Sequence, residues 1–335
     1  MRFALNADHQ QLAQATAEVL QEVCPATVVR AQWEAAPGTV PPTVSTAWSA
    51  LTELGLLSAM LDEDAGGLGL DEVGLVALCE QVGRYAVPAP VLETVVLAPV
   101  VAEHAPDLAE GVLEGTTRLA WSPEGVGGLA AWGPQADVLL AGGAPGHPLL
   151  QATTGEPLPT VDLARPVNRV SGTHTTWDVP RPELDRLWDR AVLGAAAELV
   201  GLTRTMIDLT VAYVGEREQF GRPIGSFQAV KHHVASAEVG HAFAQPLVQL
   251  AAWEVASGDV ERARPHIAMA KARASRTAVE VARAAIQCHG GMGFTTEYDL
   301  HLYAKRAWAL AAAFGTANSH LDTVTDALPL LMQTS

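Results

Sequence analysis

Two stretches of this chain carry residues whose types and spacing could hold a diphosphate. Positions 213–228 read Y-V-G-E-R-E-Q-F-G-R-P-I-G-S-F-Q, and positions 286–298 read I-Q-C-H-G-G-M-G-F-T-T-E-Y. Arg217 offers a planar, permanently charged fork that can grip phosphate oxygens at two points. Gly290, Gly291 and Gly293 lack a Cβ, so their N–H groups can approach an anion closely and take φ > 0 where needed. Gln228 and Gln287 add neutral donors. The plainer alternative is a helix end stapled by an arginine and a Gly-Gly C-cap.

Both stretches end long helical patterns, and those helices must position them. Apolar periodicity predicts helices over 190–214 (Leu193, Val200, Met206, Ile207 and Val211 on one side), 228–253, 261–289 and 299–314. Four antiparallel helices with short links make a four-helix bundle over 182–335. Upstream, Leu12, Val19, Leu20 and Val23 mark a helix that Pro25 ends. A loop rich in Pro and Gly leads to a second helix through Trp48, Leu51 and Leu54. A Gly66-Gly67 turn then gives way to a helix capped by Asp71, with Val73, Val76, Cys79 and Val82 on one face. Another apolar helix covers 91–101. Between Leu119 and Pro180, Pro and Gly become frequent, and runs such as Val138-Leu139-Leu140 alternate with turns, as in a small β-domain. The organisation read from this is a helical domain over 1–118, a reduced β-domain over 119–181 and the bundle.

With 335 residues there is room for two or three subdomains and a large core. No apolar run is free of Pro, Gly or charge for the length of a membrane span. The first ten residues lack the apolar core of a signal peptide, so a cytoplasmic protein is expected. Cys24, Cys79 and Cys288 are odd in number and far apart, which suits neither a disulfide framework nor a metal site. A formal net charge of -16 argues against nucleic acid as the main partner, and any phosphate site must rest on local basic groups. Arg262, Arg264, Lys271, Arg273, Arg276 and Arg283 lie in one segment, but their spacing covers several helix faces. That pattern reads as a solvated face or an oligomer contact.

The patterns R-x-x-F-G-x-P-I-x-x-F-Q and Q-x-x-G-G-x-G-F-x-x-E-Y resemble the flavin-gripping signatures of the acyl-CoA dehydrogenase family. The stretch from Gly55 to Leu75 resembles an amino-terminal segment of that family, with Leu61-Asp62-Glu63 where the family has a proline. The resemblance implies a mostly α fold: an N-terminal helical domain, a β middle domain and a C-terminal four-helix bundle. It implies FAD as cofactor, held by Arg217, Phe220, Gln228, Gln287, Gly290 and Gly291. It further implies an acyl-CoA or acyl-carrier thioester substrate, and a related subunit or a second copy in a dimer or tetramer. Electron-transfer flavoprotein or oxygen would be the electron acceptor. The family's T-E-P-x-x-G-S-D segment, which contacts flavin and thioester, is echoed here only by Ser122-Pro123-Glu124-Gly125.

In the family, a carboxylate in a dry pocket removes the α-proton of a thioester while flavin accepts hydride from the β-carbon. The usual base is a Glu just before Gly-Thr near the carboxyl end. Here Phe314 stands before Gly315-Thr316, and a phenyl ring takes no proton. The family's second base position, on the first bundle helix, corresponds to Ala191. Glu198 is the closest acid on that helix, two turns away or on the order of 10 Å. A Glu amid alanines reads either as the partner of a neighbouring Arg or as a base. Asp189 is nearer but falls at the expected helix start, where capping is the ordinary role. His232 and His233 point to different helix faces. His289 either touches a cofactor or simply stacks. No metal-ligand spacing, nucleophile elbow or G-x-G-x-x-G is present.

In the family, FAD lies across a dimer interface, and the two signatures reach the FAD held mainly by the neighbouring subunit. This chain keeps that set and lacks the base. The expectation is a base-lacking subunit of a heteromeric acyl-CoA dehydrogenase that completes a partner's FAD site. The alternatives are a self-sufficient homo-oligomeric flavoenzyme with an unrecognised base or different oxidation chemistry, and a non-catalytic scaffold without flavin.

Overall fold

Asn6 opens the first helix: its Oδ1 accepts from His9 N at 2.8 Å, and α1 runs Ala7–Val23. The computed structural model describes residues 5–36, 38–143, 148–258 and 260–333, so the first four residues of the signal-peptide reading lie outside it. Pro25 ends α1, but no loop follows. Pro25 instead caps α2 (Ala26–Glu34), because a missing N–H costs nothing where a helix begins. Next, α3 (Pro42–Glu53) buries Val44, Ala47, Trp48 and Leu51. Asp71 Oδ1 accepts from Gly74 N at 2.9 Å and starts α4 (Glu72–Arg84), the cap that the sequence predicts. After α5 (Val91–His104) comes α6 (Pro106–Leu113), which the periodicity did not single out.

The middle sheet holds β1 (Leu119–Ser122), β2 (Leu129–Ala131), β3 (Val138–Gly142), β4 (Leu149–Leu158) and β5 (Val167–Trp177). Their order is β1-β3-β4-β5-β2, with β1 and β3 parallel and the other pairs antiparallel. Period-two alternation divides the faces. Leu119, Trp121, Val138, Leu140 and Leu149 face the helical core, while Ala120, Leu139, Ala141, Ala152 and Val170 join a second, smaller cluster.

The 36-residue α7 (Arg181–Glu216) starts well before the expected helix. Asp189 therefore lies inside it, away from the helix start, and no capping role applies. A short hairpin, β6 (Glu218–Gln219) and β7 (Arg222–Pro223), leads into α8 (Gln228–Ala256). Then come α9 (Val260–His289), α10 (Leu300–Ala312) and α11 (Ala317–Gln333), the last unanticipated. Central to the bundle, α9 packs on α7, α8, α10 and α11. It buries Ile267, Ala270, Ala274, Ala278, Val281 and Ala285, mostly small residues that let its neighbours approach. The mostly α fold with a small sheet agrees with the resemblance.

Where α4 crosses α7 the backbones nearly touch. A Cβ on Gly83 would lie 2.0 Å from Glu198 O, and one on Gly201 would lie 2.0 Å from Glu80 O. Glycine is required at both positions.

Candidate functional site

The two diphosphate-type motifs meet at one end of the bundle. Tyr213, in the last turn of α7, stacks on His289 at the end of α9, with ring centroids 4.3 Å apart and planes 20° apart. Tyr298 completes a three-ring cluster, 4.9 Å from His289 and 5.5 Å from Tyr213. Tyr213 Oη donates to His289 O at 3.4 Å, and His289 Nδ1 lies 2.8 Å from Ala285 O, a contact only an N–H can satisfy. Burial lowers the His289 pKa and keeps the ring neutral. The ring stacks on Tyr213, and its buried Nε2 has no hydrogen-bond partner among the described residues.

Arg217 caps the carboxyl end of α7, and its carbonyl accepts from Ile224 N at 2.8 Å. The side chain is exposed and has no ion-pair partner among the described residues. Gln219 pairs with Arg222, which leaves Phe220-Gly221 as a two-residue hairpin turn with φ of 54° and 77°. Phe220 is 92% exposed at this tip, its ring edge-on to Phe227. Gln228 opens α8, whose free N–H groups favour anions, and Gln287 lies in the last turn of α9; both are exposed. A Cβ on Gly290 or Gly291 would meet nothing within 4 Å, so open space lies before both. Gly293 differs: its Cβ would fall 2.6 Å from Ile286 O, so the turn itself needs that glycine. A free guanidinium, two unobstructed glycines and exposed amides fit a diphosphate.

Phe314, which stands where the resemblance places a base, lies elsewhere. Phe314 (φ 53°) and Gly315 (φ 91°) turn the chain beyond α10. His320 Nε2 lies 2.9 Å from Phe314 O, and a Cβ on Gly315 would strike that nitrogen at 2.6 Å. Lys271 of α9 reaches this turn from below. Its Nζ donates to Leu310 O and Ala311 O at 3.3 Å, Gly315 O at 3.2 Å and Ser275 Oγ at 3.0 Å. It is fully buried, contrary to the solvated face read from its basic neighbours. Burial, and then Arg165, lower its pKa to about 7.

Phe314 packs 5.7 Å from Trp121 and 6.3 Å from Trp188, which are 6.4 Å from each other. These rings line a cleft of about 370 Å³ between the sheet and α10, which Arg165 also lines. Glu124 is the one acid among its lining residues, and it is exposed, accepting from Leu129 N at 3.3 Å. Ala191 is buried within α7. No sequence pattern joined Trp121, Trp188 and Arg165, because sheet and helix bring them together only in the fold.

Glu198 does not line that cleft. Burial raises its pKa to about 8, with Glu93 adding to the rise and Arg306 and Arg165 opposing it. Neither arginine pairs with it: Arg165 binds Glu93 at 3.2 Å, and Arg306 binds Asp162. The Arg-paired reading of Glu198 is thus replaced by a neutral, buried acid. Asp189 pairs with Arg264 at 3.4 Å, and burial raises its pKa to about 6. Among the described residues no cluster of His, Cys, Asp or Glu could hold a metal, and no helix is long and apolar enough to cross a membrane.

Trp188 at the cleft and Arg217 at the opposite end belong to the same helix. At 1.5 Å per residue they lie about 40 Å apart.

A fold of two helical domains around a small sheet, with the two sequence motifs brought together at the bundle's edge, defines a class that comparison with known proteins identifies. Residues 6–108 match the family model for the acyl-CoA dehydrogenase N-terminal domain, and residues 188–328 match the model for its C-terminal domain. The chain is 33% identical over 326 residues to acyl-CoA dehydrogenase IpdE2 of Mycolicibacterium smegmatis, covering 95% of this chain and 97% of that protein. A steroid acyl-CoA dehydrogenase variant, Tcur3481-Tcur3483, superposes with a TM-score of 0.86 at 24% identity over 97% of this chain and 99% of the other. The ChsE4-ChsE5 complex from Mycobacterium tuberculosis gives 0.84 at 24% identity, over 98% and 99%. The two structural likenesses speak to the fold. The chain belongs to the acyl-CoA dehydrogenase family.

Proposed function

We propose that this chain is the base-lacking subunit of a heteromeric acyl-CoA dehydrogenase, and that it completes the FAD site of a related, base-bearing partner. When bound, FAD supplies the two-electron acceptor for α,β-desaturation of an acyl thioester. Arg217 would pair with the diphosphate, with the N–H groups of Gly290 and Gly291 and the amides of Gln228 and Gln287 as further donors. Phe220, already exposed, would lie against the cofactor. Phe314 and Ala191 can take no proton, so the base comes from the partner. Electron-transfer flavoprotein or oxygen would be the electron acceptor, in the cytoplasm.

The observation that carries this reading is the gap of about 40 Å along α7 between the grip and the chain's own cleft. An extended dinucleotide held at Arg217 is too short to bring its ring to Phe314 of the same chain. Its ring would serve another chain. The neighbouring ChsE4-ChsE5 complex, built from two differently named chains, supports an assembly of that kind.

Co-expression with a family member bearing a Glu at either base position tests it. The co-purified pair should be yellow and active, and this chain alone colourless. Arg217→Ala should cut flavin content of the pair by roughly ten-fold or more, the worth of a charge-assisted contact to phosphate. Flavin-replete turnover by the isolated chain would overturn the proposal.

A further inference from the structure

The cleft beside Phe314 has the makings of a site with its own ligand. Its volume, about 370 Å³, falls within the usual range for small-molecule pockets. Trp188 and the edge of Phe314 give it an aromatic wall with the buried Trp121 packed behind, and Leu129 and Val161 give it an apolar mouth, 50% and 44% exposed.

Its polar end is Arg165, which is only 7% exposed. One of its nitrogens, Nη2, donates to Glu93 Oε1 at 3.2 Å. The guanidinium lies 5.8 Å from the Trp132 ring centroid, and its other N–H groups have no acceptor among the described residues. A buried cation with idle donors that lines a cavity calls for an acceptor inside that cavity.

The shape of the guanidinium says which acceptor. Nη2 is committed to Glu93, and Arg306 binds Asp162 separately. The planar fork of Arg165 suits a carboxylate, which can accept two parallel N–H groups. The exposed Glu124 at the mouth disfavours a second negative charge.

We propose that the cleft binds a flat, apolar monocarboxylate of one or two fused rings, its carboxylate on Arg165 and its rings against Trp188 and Phe314. The site lies at the end of α7 remote from Arg217, so it does not depend on which subunit's flavin the grip holds.

Calorimetric titration of the full chain with 2-naphthoate and with neutral 2-naphthalenemethanol tests the proposal. Naphthoate should bind about ten- to hundred-fold more tightly, the worth of a charged hydrogen bond. Arg165→Met alone would strand Glu93, so it is combined with Glu93→Gln. That pair should bind acid and alcohol alike. Ala312→Phe, at an exposed lining position that leaves every ionic contact intact, should abolish binding of both. Equal affinity for acid and alcohol in the wild type would overturn the proposal. So would no heat from either up to about 1 mM, a preference for the acid that survives the double change, or riboflavin binding more tightly than naphthoate.

Discussion

Glu198 sits in the interior with its carboxyl unpaired, and the consequence is a pH dependence with a definite sign. Its pKa in the folded chain is about 8, against an ordinary carboxyl value once unfolded. The folded state therefore holds a proton that the unfolded state has already lost. Its contribution to stability is fully present below the unfolded pKa and lost as pH rises toward 8, by at most about 5 kcal/mol at 1.36 kcal/mol per unit. Glu198→Gln keeps the shape and hydrogen-bonding of the neutral acid. Calorimetric melting should show the wild-type Tm falling between pH 6 and pH 8, above the Asp189 window, and the variant's Tm falling much less there. Parallel curves would mean the acid is ionised in the fold. Lys271 acts in the opposite direction at higher pH: its contribution is present above its unfolded pKa and lost as pH falls through about 7, so the two groups can be told apart by window. Its burial was legible in principle, since Ile267, Lys271, Ala274, Ala278, Val281 and Ala285 share one inward face at helical spacing. The arginines around it masked that period. The neutrality of Glu198 was not legible, because it depends on Glu93, Asp162, Arg165 and Arg306 arriving from three other elements.

At the level of elements, α4 and α7 are held at a distance that only glycine allows. Gly201→Ala would place a methyl group 2.0 Å from Glu80 O, a backbone atom that cannot rotate away. The helices must separate, and the domain that contains α4 must shift against the bundle. Overpacking of this kind costs roughly 1–3 kcal/mol, which urea denaturation would read as a lower midpoint with an unchanged slope. An unaltered midpoint would show that the crossing is looser than described. The long helices α7, α8 and α9 were legible because many turns repeat one apolar period. The Asp71 cap was legible because its side chain bonds only three residues away. Pro25 misled, since the same residue that stops α1 suits the start of α2. Gly83 and Gly201 gave no signal at all: a close approach between segments so far apart in the chain leaves no local pattern.

Taken whole, the molecule carries the arginine- and glycine-bearing motifs at one end of α7 and an aromatic cleft near the other, and on the proposed function this polarity fixes how many flavins an assembly can hold. In a pair made of this chain and a base-bearing relative, each grip must point at the other chain's cleft. This chain's Arg217 then serves the cleft that has a base. The partner's grip would face Phe314, which takes no proton, and only Ser122-Pro123-Glu124-Gly125 of the small β-domain would stand where the resemblance implies contacts to the ring. One of the two possible sites is therefore complete, and the purified pair should contain one flavin for every two chains, measured as flavin absorbance against total protein. Arg217→Ala in this chain should remove that flavin, and loss of the matching arginine in the partner should leave it in place. Two flavins per pair would mean that the cleft beside Phe314 accepts the ring after all, and one flavin that survives Arg217→Ala would mean that the grip lies on the other chain.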